Sequence, residues 1–266
     1  MIRLLKAIAL TSLLLLSAPA LAGPVSHAFT GNTASSASVG SNPSVTIPIG
    51  GIPAGSAVYV AVYEASIGSF VTANGLVADN ASTPNTYTEL SGGVEDGSGA
   101  RLQIFQAYNS NALASGNTIT YTLTSVTNRA VMSVFYATGL TTTNPFDGKH
   151  TTIFTSSPIA GNLSLPPSVA GELFIAVAGW ENFSTSAGYT LDTGNGWAVP
   201  PTAIESTFST SVTNYYGVGG GTQVNSGTGT LTTQPTFTAT TNGSTIILGL
   251  KPATTTPSPF FFKPFP

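Results

Sequence analysis

The sequence predicts an all-β protein, an antiparallel, jelly-roll-like β-sandwich built from two related halves. The first observation is composition, since the 266 residues include 40 Thr, 30 Ser, 29 Gly and 18 Pro. Thr favours strands, whereas Gly and Pro interrupt helices. The second is that short runs of Val, Ile, Thr, Tyr and Phe recur, each bounded by Gly, Asn or Pro, as in strands joined by turns. The third is that two long stretches of the chain resemble each other.

Charged residues are scarce in this chain. Lys and Arg number 7 and Asp and Glu number 10, so that charged residues make up 6%, against about 25% in an ordinary globular domain. A nucleic-acid-binding protein is excluded, because about six phosphate contacts would use nearly every cation. The chain has no Cys, which excludes disulfide scaffolds, thiolate metal sites and cysteine nucleophiles.

The first 22 residues have the pattern of a cleaved signal peptide. Arg3 and Lys6 supply positive charge, an apolar run extends from Ala7 to Leu16, and Ala20-Leu21-Ala22 is an A-x-A cleavage site. A membrane anchor is the alternative, but this run is too short to span a bilayer. We therefore expect a secreted, extracellular protein that begins at Gly23 and has no membrane-spanning segment.

The predicted strands follow one another at short intervals. Residues 23–43 form a Ser/Gly-rich N-terminal segment in which only Pro24 to Phe29 is predicted as an edge strand. Seven further strands are predicted in the first half, at Ser44–Ile49, Ala57–Ala65, Phe70–Val77, Thr86–Leu90, Arg101–Tyr108, Thr118–Ser125 and Ala130–Tyr136.

Two of these strands have informative patterns. Residues 57–63 are apolar on both faces, which predicts a central strand covered on both sides. Residues 118–124 alternate strictly, so we expect Ile119, Tyr121 and Leu123 to face the core and the intervening threonines to face water.

The internal similarity relates residues 52–62 to residues 168–178, with Gly55 matched to Gly171. The alternating Thr strand is echoed at 229–240, and residues 135–140 at 246–250, where Gly139 matches Gly249. The chain is therefore divided into a first β half at 44–140, a connector at 141–154, a second β half at 155–252 and a Pro/Phe-rich tail at 253–266. Two small sandwiches or two interleaved halves of one jelly roll satisfy this division, and the short connector favours one compact body.

This succession of turns and strands includes Asn85-Thr-Tyr-Thr88, Phe105-Gln-Ala-Tyr108 and Thr138-Gly-Leu140. It resembles a β-sandwich domain that recurs in exported bacterial proteins and whose function is uncharacterised. The resemblance implies a fold and export, and it supplies no activity and no functional residues.

Motifs for catalysis or metal binding are absent from the sequence. His27 and His150 lack the neighbouring His or Cys of a zinc site, and no Ser stands in a G-x-S-x-G elbow. We interpret Asp147-Gly-Lys-His150 as a polar loop between the halves. The oxygen-rich turn at Asp79-Asn80 is explained by an Asx turn better than by Ca²⁺. We therefore expect no metal, no cofactor and no enzymatic activity.

One aromatic cluster suggests a ligand site. Glu64 and Glu181 each end an apolar strand at near-equivalent positions, and Glu181 follows a Trp. Aromatic planes with nearby carboxylates and amides stack on sugar rings, and the alternative is a Trp that belongs to the core. The candidate ligand-binding residues are Trp180, Glu181, Tyr189, Asp192 and Trp197.

The C-terminal tail is rich in Phe. Four of the fourteen Phe lie in the last seven residues, at Phe260, Phe261, Phe262 and Phe265. Thr and Pro before them predict an extended segment. The aromatic side chains either dock on a partner, a second copy or a surface, or fold back onto the sandwich itself.

The sequence therefore predicts a non-catalytic secreted structural or surface/adhesion protein. Low charge, Thr-rich wet faces and the Phe tail all fit this function, with self-association or contact with a surface or a glycan as the expected interaction. The alternative is a carbohydrate-binding module that uses the Trp180 to Trp197 region. A third class, an extracellular hydrolase, accounts for export and for none of the other sequence features.

Overall fold

The protein is described here as a computed structural model. The described residues are 27–31, 40–65, 76–90, 93–95, 99–125, 128–155, 163–182, 204–209, 213–224, 230–233 and 242–253. All regular secondary structure in these ranges is β-strand, and every strand pair is antiparallel. The predicted all-β sandwich class is confirmed.

The strands of the first half are β1 His27–Gly31, β2 Ser44–Thr46, β3 Ala57–Ala65, β4 Val77–Asp79, β5 Thr88–Glu89, β6 Val94–Glu95, β7 Ala100–Ala107, β8 Thr118–Tyr121 and β9 Arg129–Ala137. Those of the second half are β10 Phe146–Phe154, β11 Leu163–Leu165, β12 Leu173–Asn182, β13 Ile204–Ser209, β14 Thr213–Val224, β15 Leu231–Thr233 and β16 Asn242–Leu250.

The first half forms a sandwich of two sheets. Its large sheet has the order β1-β9-β3-β7-β5, with β6 also paired to β7, and its small sheet has the order β2-β8-β4. Successive strands cross between the two sheets except at β5, β6 and β7, which all belong to the large sheet. This alternation is the jelly-roll connectivity.

The second half has the same order of strands. Its large sheet is β10-β16-β12-β14-β13, and its small sheet is β11-β15. The order β10-β16-β12-β14-β13 matches the order β1-β9-β3-β7-β5 strand by strand, so each strand of the second large sheet occupies the position of its counterpart in the first. Gly55 and Gly171 both precede the central strand with φ near +80°, a conformation that favours Gly.

The two large sheets pack face to face, and the small sheets lie outside them, so the protein has four layers. One core joins the large sheets and includes Tyr59 and Tyr63 of β3 with Ile175 and Val177 of β12. The other face of β3 packs inside the first sandwich against the small sheet. Residues 57–64 are all buried, which confirms the predicted central strand covered on both faces.

The alternating strand follows its predicted orientation. Ile119 and Tyr121 are fully buried and Leu123 is 9% exposed. Thr122 is exposed and Thr118 and Thr120 are half-buried, but the assignment of Thr124 to the wet face is wrong, because its Oγ1 donates to the buried Glu64. The small sheet therefore has one dry and one wet face.

The interpretation of residues 141–154 as a connector is wrong, because residues 146–154 form strand β10. This strand pairs with β16 along its length and closes one edge of the second large sheet. Asp147 and His150 therefore lie on a strand instead of in a loop. Its sequence is half polar because β10 is an edge strand with a half-exposed surface.

Two further details differ from the sequence-based expectation. Ala57 pairs with Ala137 and Leu173 pairs with Leu250, so Leu250 is the counterpart of Ala137, and Gly249 does not correspond to Gly139. The halves are also not interleaved, since each sheet contains strands of one half alone. They nevertheless form one body through the core that both large sheets share.

Candidate functional site

The predicted aromatic site is not formed by Trp180. The Trp180 side chain is fully buried, and Glu181 is nearly so. A buried indole has no free face on which a sugar can stack, so Trp180 belongs to the core, which was the alternative interpretation. Tyr189, Asp192 and Trp197 lie outside the described residues, as do the signal peptide and the four Phe of the tail.

Glu64 and Glu181 do not occupy equivalent positions. Residues of β3 and β12 correspond at an interval of 116, as the pairing of Ala57 and Leu173 with the last strand of each half shows. Trp180 is therefore the counterpart of Glu64. Glu181 lies on the opposite face of β12, the face that also carries Ile175 and Val177.

Glu64 is the centre of a buried polar network inside the first sandwich. Its Oε1 accepts hydrogen bonds from Thr124 N at 2.9 Å, Thr124 Oγ1 at 2.8 Å and Asn128 Nδ2 at 2.7 Å. Its Oε2 accepts one from Tyr121 Oη at 2.5 Å. Burial raises the pKa of Tyr121 well above its usual range, and the negative charge of Glu64 adds to that effect. The phenol therefore stays protonated and acts as a donor.

A buried ion pair lies in the same interior. Arg101 Nη2 contacts Glu89 Oε1 at 3.1 Å, and both side chains are at most 5% exposed. The same Glu89 oxygen accepts a hydrogen bond from Gly93 N at 2.9 Å. Burial of either charged group alone would be strongly destabilising, because the group loses its hydration. The opposite charge of the partner compensates part of that loss. The pair holds the short edge strand β5 against β7, and it offers no surface to a ligand.

Asp79 organises the loop that follows β4. Its Oδ1 accepts a hydrogen bond from Ala81 N at 3.1 Å, and its Oδ2 accepts hydrogen bonds from Asn85 Nδ2 at 2.9 Å and Tyr87 Oη at 3.0 Å. The bond to Ala81, two residues later, is an Asx turn. The prediction of an Asx turn at this position is confirmed.

A carboxyl pair lies near the junction of the two halves. Glu172 is buried and Asp147 is half-buried, and their side chains share a hydrogen bond. The pKa of Glu172 is raised to about 7, mainly by burial and with a smaller contribution from the charge of Asp147, while a hydrogen bond from Ser168 N opposes the rise. Partial burial raises the pKa of Asp147, but hydrogen bonds, led by that of Lys251, lower it overall. In mildly acidic solution, below about pH 7, Glu172 therefore keeps its proton while Asp147 is ionised.

A polar groove opens on the surface of the first sandwich. It has a volume of about 340 Å³ and lies where β5 and the end of β7 meet the loop after β7. Gln106 is buried at its floor, whereas Tyr108, Asn109 and Asn111 are exposed at its rim. The lining residues are Pro84, Asn85, Thr86, Thr88, Gln106, Ala107, Tyr108, Asn109 and Asn111.

A second depression of about 410 Å³ lies nearby and is built from turns. Its lining is mainly Gly, Ala and Ser, together with Ile52, Pro53, Leu113 and Asn117. It has no charged side chain and no aromatic ring, so it presents few groups that would orient a ligand.

The described ranges hold no group of three His, Cys, Asp or Glu side chains that would bind a metal ion. The same ranges include no helix with the length and apolar character needed to cross a membrane.

The sequence patterns did not indicate the polar groove, although residues 85–88 and 105–108 were interpreted as parts of turns and strands. In the sequence, an aromatic residue followed closely by two amides, at Tyr108, Asn109 and Asn111, is a local indication of this site. Asn85 and Gln106 join this group only through the pairing of β5 with β7.

No protein-family model, no curated protein and no solved structure matches this chain.

Proposed function

We propose that the protein is a non-catalytic secreted structural or surface/adhesion protein made of two jelly-roll units. The observation that carries this proposal is the placement of charge in the first sandwich. Glu64, Glu89 and Arg101 point inward and are bound to structural partners. These three charges stabilise the fold and are withdrawn from the outer faces of the first sandwich.

The outer face of the small sheet supports the proposal. Ser44 pairs with Thr120, and Thr46 with Thr118, and Thr120 Oγ1 donates a hydrogen bond to Ser44 Oγ at 2.9 Å. This face is a hydroxyl surface without charged groups. Because this face carries no charge, two copies that meet through it do not repel each other there, which favours association. Contact with other copies or with an extracellular surface follows from this composition.

We also infer that the two halves arose by duplication of one jelly-roll unit. The shared strand order and the matched turns at Gly55 and Gly171 support this inference. Export is proposed from Arg3, Lys6 and the A-x-A site in the first 22 residues. The mature chain carries a charge of −5, because two of the 7 cations lie in that segment and 10 acids remain.

The assembly of the mature chain tests the proposed function. Residues 23–266 and a truncated chain of residues 23–252 are compared by size-exclusion chromatography with light scattering and by negative-stain microscopy. We expect the longer chain to form oligomers or to attach to the surface of the producing cells. If the tail docks on another molecule, the truncated chain loses assembly or attachment and keeps its melting temperature.

If the tail instead folds back onto the sandwich, truncation lowers the melting temperature and leaves assembly unchanged. A mature chain that stays monomeric at every concentration and attaches to no surface contradicts the proposed function. Hydrolysis of a polysaccharide or an ester by the purified chain contradicts its non-catalytic part.

A further inference from the structure

We propose that the polar groove beside Gln106 and Tyr108 binds a neutral saccharide. This inference does not depend on the proposed structural role, because a monomeric protein with this groove would bind the same ligand. The groove volume of about 340 Å³ lies at the lower end of the usual range of small-ligand sites, about 300–1,000 Å³. It therefore fits one end of a glycan or a short oligosaccharide.

The chemistry of the lining selects an uncharged ligand. None of the nine lining residues is acidic or basic. A phosphate or carboxylate group that leaves water needs cationic or backbone N–H partners, and a cationic ligand needs carboxylates. The groove instead presents amides and hydroxyls, which both donate and accept hydrogen bonds. Neutral hydroxyl groups are the ligand atoms that match them.

Gln106 supplies a buried polar atom that lacks a partner. Its side chain is 3% exposed, and no described protein atom forms a hydrogen bond with its Oε1. Its Nε2 is weakly engaged, with Asn144 Oδ1 at 3.5 Å. A buried acceptor without a donor destabilises the protein unless something else supplies the hydrogen bond. Gln106 Oε1 is closed to solvent as the side chain stands, so a ligand hydroxyl group supplies this bond once the side-chain amide turns toward the groove.

Tyr108 supplies the apolar part of the site. It directly follows β7, its side chain is 46% exposed, and it lines the groove. A sugar ring has an apolar CH face and a polar rim, and an aromatic ring beside amide groups matches both surfaces. Hydrogen-bonding groups alone would bind water as readily as a ligand, so a sugar site also needs an apolar surface. The exposed Tyr108 ring supplies that surface, and the neighbouring depression has no aromatic ring.

The rim of the groove is held in place before any ligand binds. Asn85 Oδ1 accepts a hydrogen bond from Asn111 N at 2.7 Å, and Asn111 Nδ2 donates one to Thr83 O at 3.2 Å. Asn85 is in turn anchored to Asp79. Two segments that lie 26 residues apart are therefore fixed relative to each other, which lowers the entropy lost on binding.

A glycan array tests the proposal, with the mature chain as the probe. The array carries neutral glucans, mannans, galactans and chitin oligosaccharides, acidic glycans, and peptides rich in Ser, Thr and Pro. Titration calorimetry on the best neutral ligand then compares the wild type with Tyr108→Ala, Tyr108→Phe and Gln106→Leu. Ile153→Ala is the matched control, because Ile153 is 51% exposed on β10 in the other half.

We expect a neutral saccharide to bind and Tyr108→Ala to weaken binding about tenfold or more. Tyr108→Phe and Ile153→Ala should each stay within about threefold of the wild type. Gln106→Leu should also weaken binding, and thermal unfolding checks that it folds. If it does not fold, Tyr108→Ala decides alone, since Tyr108 is exposed.

The proposal is overturned if no neutral saccharide binds, or if acidic glycans or peptides are the only ligands. It is also overturned if Tyr108→Ala binds the neutral ligand as the wild type does. Assembly measured by chromatography is a separate readout, so failure of the saccharide site does not decide the proposed structural role.

Discussion

Gly179 lies against the ring of Tyr63 where the two large sheets face each other. A Cβ atom at position 179 would fall within 3.0 Å of Tyr63 Cδ2, Cγ and Cβ. Tyr63 is fully buried on β3, and Gly179 lies on β12, so the contact joins the central strands of the two halves. The missing side chain at 179 allows the two jelly-roll units to approach closely enough to share a core.

Gly179→Ala should therefore destabilise the protein. The added methyl group meets the inner atoms of a buried ring that cannot move away, and overpacking of this kind costs about 1–3 kcal/mol. Urea unfolding followed by fluorescence measures the change. Gly148→Ala is the control, because its nearest neighbour, Leu165 Cδ1, would lie at 3.7 Å, an ordinary contact. Equal stabilities of the two variants would show that the halves do not pack through Gly179.

The orientation of the alternating strand gives a second prediction. Leu123→Ala should lower the free energy of unfolding by about 2–5 kcal/mol, because it removes a buried side chain. Thr122→Ala should lower it by well under about 1 kcal/mol, because the Thr122 side chain is exposed. Chemical denaturation of both variants measures the difference. Similar losses would mean that the faces of this strand are assigned wrongly.

Local patterns in the sequence predicted the strongly apolar strands well. The central strand at 57–65 and the alternating strand beginning at 118 are apolar on the faces that the structure buries, so periodicity was sufficient. The strand at 146–154 was missed because only one of its edges is paired and much of it is exposed. Polar residues near Pro145 resemble a loop when the partner strand, Asn242–Leu250, is unknown.

The candidate sites depended on contacts between distant residues. Glu64 ends an apolar run and resembles a surface residue, yet it is buried because Tyr121 and Asn128, about 60 positions later, donate to it. Trp180 stands next to a carboxylate in the sequence and therefore resembles a ligand-binding residue, but its side chain is fully buried. The groove joins Asn85 to Asn111 across strands, which no local pattern reveals.

The network around Glu64 gives a third prediction, which separates hydrogen bonding from charge. In Glu64→Gln the amide oxygen still accepts from Thr124 and Asn128. The amide nitrogen donates to Tyr121 Oη, which turns its own proton to Gln103 Oε1 at 3.0 Å. We expect a loss of about 1.5 kcal/mol or less, in line with one changed hydrogen bond.

Glu64→Leu is the matched variant, since it fills a similar volume without an acceptor. It leaves the buried Asn128 amide and the Tyr121 hydroxyl without that partner, so we expect a loss of about 3 kcal/mol or more. Thermal and urea unfolding of both variants measure the losses. If leucine were tolerated as well as glutamine, the network would contribute nothing specific to the first sandwich.

The carboxyl pair near the junction gives a fourth prediction, on pH dependence. Burial raises the pKa of Glu172 from 4.5 to about 7 in the folded protein. Between pH 4.5 and 7 the folded state keeps this proton and the unfolded state releases it. The contribution of Glu172 to the free energy of unfolding therefore falls as the pH rises through this window. We expect a loss of about 1–2 kcal/mol, because the neighbouring Lys251 is partly exposed and solvent screens the site.

Glu172→Gln isolates this effect, because a neutral amide replaces the carboxyl group and every other titrating group is shared with the wild type. Melting temperatures measured from pH 4.5 to 8 should fall with rising pH in the wild type. They should fall less, or not at all, in the variant. Asp147 does not interfere, since its lowered pKa places its titration below this window. Parallel curves for the two proteins would mean that Glu172 is ionised in the folded state and that the shared proton does not exist.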